Sequence, residues 1–86
     1  MLHPFQDLLI DNNINIEKGI TLIQEALKIE PNSPYYLDSL AWGYYKKGQC
    51  EEAYNIMKYF GENVIEEEVA THIDAIKKCL KEKNTP

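Results

Sequence analysis

YLDSLAWGYYKKGQCEEAYNIM, residues 36–57, holds the single tryptophan of the chain and four of its six tyrosines. One glycine, Gly48, divides the stretch between two expected helices, because a glycine after a run of helix formers suits the left-handed position that ends a helix. No strand-like alternation of apolar and polar residues appears here or anywhere else in the chain. So many large aromatics in a short polar-looking segment must divide between a core and a surface. Deciding which fall where decides the reading of the protein.

Working outward, "INIEKGITLIQEALKIE" places Ile16, Ile20, Ile23 and Leu27 at i, i+4, i+7 and i+11, with Ala26 beside them, on one face of a helix. Pro31 in "EPNSP" ends it, and Ser33 before Pro34 is a natural N-cap and first-turn pair for the next. The second helix is expected over about 34–47, a third over about 49–60, a fourth over about 66–83 and a weaker first one over 4–10. The fold class expected is all-α. Glu66, Glu67 and Glu68 at the start of the last helix, with Lys77, Lys78, Lys81 and Lys83 near its end, complement the helix dipole.

The 86 residues suffice for one small domain. With 44% apolar and 27% charged residues the chain is of globular type, and its core is thin for its surface. The net charge is −5 and every one of the nine basic residues is a lysine. That balance argues against nucleic acid and against an anionic membrane surface, since both need clustered cations. Residues 1–13 show no basic leader region, and Leu8, Leu9 and Ile10 are their longest apolar run, so a cytoplasmic location is expected.

Sliding the chain against itself gives one good offset, 34, which sets Gly19 on Ala53, Ile23 on Met57, Ala26 on Phe60, Ile10 on Tyr44, Glu17 on Glu51 and Leu8 on Trp42. The second unit then reads Leu37, Leu40, Ala41 and Tyr44, followed by Ala53 and Met57: small residues where helices touch closely, bulky ones around them. In period and in this pattern the chain resembles the bacterial tetratricopeptide repeat. His3, Gln6 and Asp7 depart from the family pattern in the first unit, as does Ile65 at the end of the second. The resemblance implies a short α-solenoid of about two repeats plus a capping helix. Its units are a degenerate repeat over 1–33, a well-matched one over 34–63, a cap over 64–83 and a tail over 84–86.

The resemblance also implies that the first helix of each unit lines a concave groove. With Leu37, Leu40, Ala41 and Tyr44 taken by the core, Tyr35, Asp38, Trp42 and Tyr45 share another stripe at i, i+3, i+7 and i+10. Leu8 lies beside Trp42 from the first unit, and Lys46 is the one nearby cation. The stripe is either an open peptide-binding groove or a face buried against the first helix or a neighbouring chain. An open groove of aromatics edged by Asp38 suits an apolar or basic peptide. Its lack of basic residues does not suit clamping of a peptide's terminal carboxylate.

Nothing in the chain points to catalysis, a cofactor or a metal. His3 and His72 fall on different helices without a nucleophile at suggestive spacing, and the four glycines are scattered singly. His72 reads as a surface or boundary residue of the cap. Cys50 and Cys79 match no metal or CxxC spacing. They lie at comparable distances either side of the turn near Asn63, so they can sit at the same end of a helix pair, but two free thiols are expected in a reducing cytosol. The leading expectation is a protein-interaction module. Its rivals are a structural end-cap or self-associating unit, dimerising through the first helices, and a redox-responsive module using the two cysteines.

Overall fold

The computed structural model describes residue 10 and residues 15–58 and 67–83. They form four helices: α1 (Ile16–Ile29), α2 (Pro34–Lys46), α3 (Cys50–Met57) and α4 (Glu67–Lys83), with no strand among the described residues. The expected all-α class holds. The weak first helix lies outside the described residues apart from Ile10, which is helical and buried.

Each helix begins and ends where local chemistry tells it to. The Asn15 side chain caps α1 by accepting from the Lys18 amide at 3.0 Å, and Ser33 caps α2 by accepting from the Tyr36 amide at 3.3 Å. Pro34 opens α2 at a position whose missing N–H costs nothing. At the other end Gly48 takes φ +84°. Its amide donates to the Tyr45 carbonyl and the Gln49 amide donates to the Tyr44 carbonyl, both at 2.9 Å, which is the Schellman closure. Three residues therefore turn the chain, and α3 runs back along α2.

Side-chain pairs fix the remaining directions. Lys47 at the end of α2 meets Glu17 at the start of α1 at 2.5 Å, so these two helices are antiparallel. Cys50 opens α3 and is bonded to Cys79 near the end of α4, so that pair is antiparallel too. Lys83 donates to the Gly48 carbonyl while His72 meets Asp38, so α4 lies alongside α2 in the same direction.

The core is two clusters joined through α2. Ile10, Ile20 and Ile23 form one, and Ala41, Ala53, Met57 and Ile76 form the other, all at most 4% exposed. Tyr44 packs against both. Small residues permit the approach: Ala41 and Ala53 are fully buried, and a Cβ placed on Gly43 would meet Ile20 Cγ1 at 2.7 Å. The hold on α4 is thin. Ile76 alone of its 17 residues is fully enclosed, worth roughly 2–3 kcal/mol, with Val69 and Ile73 half-buried around it.

The cysteines correct an expectation. They are bonded rather than free, with Cα atoms 6.2 Å apart. The expectation rested on compartment. Geometry decides otherwise, because antiparallel α3 and α4 bring the first residue of one against the last turns of the other. Closing a loop across 29 positions constrains the unfolded chain by roughly 3.5 kcal/mol in the chain-entropy account. For a domain this small that rivals what the burial of Ile76 contributes.

A substitution tests the helix approach. Gly43→Ala would gain about 1 kcal/mol in an open helix. Here the added methyl must displace the stiff β-branched Ile20, at a cost of about 1–3 kcal/mol. Urea melts should show the variant less stable than the parent; a more stable variant would mean that α1 and α2 do not approach as closely as described.

Candidate functional site

Asp38 lies in the second turn of α2 and is only 8% exposed. A buried carboxylate needs donors to replace water. α4 supplies one: His72 Nδ1 donates to the carboxylate, 3.0 Å from Oδ1 and 3.2 Å from Oδ2. The bond fixes the ring orientation.

One turn further along α2, Trp42 carries the rest of the site. The His72 ring lies parallel to the indole at 4.0 Å between centroids, and Tyr45 lies parallel at 4.6 Å. Lys46, four residues on, holds its ammonium 5.4 Å from the indole centroid. Beneath, Trp42 packs on the Ile10, Ile20 and Ile23 cluster. Asp38, Trp42, Tyr45 and Lys46 thus gather as one group with His72. Tyr35 belongs to the same stripe but lies two turns toward the helix start, with its ring edge-on to Tyr36 at 5.5 Å. Leu8 lies outside the described residues.

Two features depart from the expected groove. Asp38 does not stand at an exposed edge; it is buried and committed to His72, so its charge is not presented to a basic ligand. The cover over Trp42 includes α4, which the sequence treated as an end piece, as well as the packing beneath from Ile10 and α1. His72 is the residue that sequence reasoning passed over as boundary surface. A signal for it existed, because the same offset of 34 that aligns the units carries Asp38 onto His72.

The Asp–His pair has the form of an oriented base, and the His72 ring contacts the Asp38 carboxylate and the Trp42 indole. Among the described residues no three His, Cys, Asp or Glu side chains converge as a metal site, and no helix is long and apolar enough to cross a membrane. A cleft of about 340 Å³ lies at the opposite end of α4, lined by Gly48, Gln49, Cys50, Glu51, Glu52, Leu80 and Lys83. No family model, curated protein or solved structure matches the chain.

The buried pair is open to a thermodynamic cycle. His72→Ala strands the Asp38 carboxylate and should cost about 3 kcal/mol. Asp38→Asn keeps an acceptor for Nδ1–H and should cost about 1 kcal/mol. With the double variant, unfolding followed by Trp42 emission should return a coupling above about 1 kcal/mol. Additive losses would show that the two side chains do not depend on each other.

Proposed function

We propose that this chain is a tetratricopeptide-like protein-interaction module whose working face is the Trp42 side of α2. The observation that carries the reading is the Asp38–His72 bond. The two residues are 34 apart and join the helices that a 34-residue period makes equivalent, α2 and α4. Of the other pairs that the period equates, Gly19 with Ala53 and Ile23 with Met57 are all buried, Ile10 is buried where Tyr44 is half-buried, and Glu17 and Glu51 are both exposed. On the working face Tyr35, Trp42, Tyr45 and Lys46 remain half-buried, retaining surface for contact. Large aromatics concentrate interface energy, and a net charge of −5 steers a basic segment toward the chain. The partner that fits is an apolar or basic protein segment.

A second reading has its own support. Glu67, Glu68, Thr71, Asp74, Lys77 and Lys78 on α4 are exposed, as suits the polar outer face of a terminal capping helix. On that reading the chain closes a longer array or pairs with a second copy.

Site-specific crosslinking separates the two. A photoreactive phenylalanine at Tyr35 should capture a heterologous partner in the native host, whereas one at exposed Asn55 on α3 should not. Trp42→Ala should weaken that partner's binding by roughly thirtyfold, equivalent to about 2 kcal/mol. Tyr44→Ala should chiefly lower the melting temperature, because it joins the two core clusters. Adducts containing only further copies of the chain would favour the assembly reading, and equal capture from both positions would remove the interaction face.

A further inference from the structure

The disulfide, the thin apolar anchorage of α4 and the stacking of His72 on Trp42 belong to one helix. We infer that the Cys50–Cys79 bond is a reversible latch: closed, it holds α4 and His72 over Trp42; opened by a dithiol reductant, it releases α4 and uncovers that face. The inference rests on the reading of the Trp42 side as an interaction face and adds its regulation.

Three observations carry it. First, α4 has little else to hold it. One of its 17 residues is buried and most of the rest are exposed; Val69 and Ile73 pack half-buried on the core, and its polar ties include the His72 contacts and the bond from Lys83 to the Gly48 carbonyl. A crosslink contributes most where the noncovalent hold is weakest. By contrast α1 and α2 meet through buried Gly19, Ile20, Ile23 and Gly43, none of them on α4. Second, the bond can be reached. Cys50 is 1% exposed, but it lines the 340 Å³ cleft, and Cys79 is half-exposed. Third, the His72 ring stacked on Trp42 comes from α4 itself, so release of the helix takes that cover off the indole.

The chemistry balances with a dithiol as the co-reactant. One thiolate of the reductant attacks Sγ of Cys79, the more exposed of the two residues. The disulfide breaks, its electron pair leaves on Cys50 Sγ, and a mixed disulfide forms at Cys79. Cys50 is the first residue of α3, where unpaired backbone amides stabilise a departing thiolate, and Lys83 lines the same cleft. Glu51 and Glu52 oppose that charge but are exposed and screened. The second thiol of the reductant then attacks its own sulfur in the mixed disulfide and expels Cys79. The protein gains two electrons and two protons, and the reductant becomes a cyclic disulfide.

Hydrogen exchange on the whole chain tests the latch without a partner. The oxidised protein is compared with the dithiothreitol-reduced protein and with a Cys50→Ser, Cys79→Ser double variant that needs no reductant. Amides of α4 should exchange at least about tenfold faster in both open forms, while those of α2 change less than about twofold. The emission of Trp42 should shift as His72 leaves it. Unchanged protection of α4 would overturn the latch, as would simultaneous loss of protection in all four helices, because the bond would then be a staple for the whole fold. Two freely alkylated thiols in the untreated native protein would overturn it at once. Crosslinking from Tyr35 in both redox states then addresses the site: the yield should rise on opening, and equal yields would overturn its regulation. Capture of no partner in either state, with α4 still opening, would defeat the interaction reading and leave the latch on α4 standing.

Discussion

Everything in this chain turns on how closely α2 can be approached from its several sides. α1 reaches it at Gly43, where Ile20 occupies the space a side chain would fill. α3 and α4 share with it a cluster in which Ala41, Ala53 and Ile76 are wholly enclosed. A helix so surrounded has few positions left for polar groups, so its buried Asp38 must be answered by a donor from a neighbour. His72 answers it. A small domain cannot build one large core, and its two modest clusters depend on Tyr44 to make them a single cooperative unit.

The helices are unequal in how they are held. α1 and α3 each bury three residues, α3 within only eight. α4 is twice as long as α3 and buries one. It compensates with specific bonds: a buried ion-pair geometry at Asp38, a parallel stack on Trp42, a lysine on the Gly48 carbonyl and a covalent bridge. The noncovalent ones among these set position and register, while the bridge limits the freedom of the unfolded chain. That division makes α4 the natural moving part and α1–α2 the natural platform.

Much of this was legible in the residues. Asn15, Ser33, Pro34 and Gly48 set the helix ends by local chemistry, which does not need the rest of the fold. Periodicity marked Ile20 and Ile23 as inward-facing, since one helical face must be apolar if it is to be buried, and the repeat pattern marked Ala41, Ala53 and Met57. The stripe of Asp38, Trp42 and Tyr45 followed from the same geometry.

What the sequence could not determine was which neighbour each stripe meets. An aromatic face reads identically whether water, a ligand or another helix covers it, because helical spacing fixes direction from the axis and says nothing about what stands there. Thus Asp38 read as an exposed acidic edge and His72 as surface, and only the packing of α4 alongside α2 joined them. The thiols were similar: their residue numbers allowed proximity, but a bond depends on two Cα atoms 6.2 Å apart at the end of an antiparallel pair. Local chemistry determined the helices and their inward faces; tertiary packing alone decided their partners, because that choice is made by the shapes and unmet polar groups of whole helices rather than by any one stretch of chain.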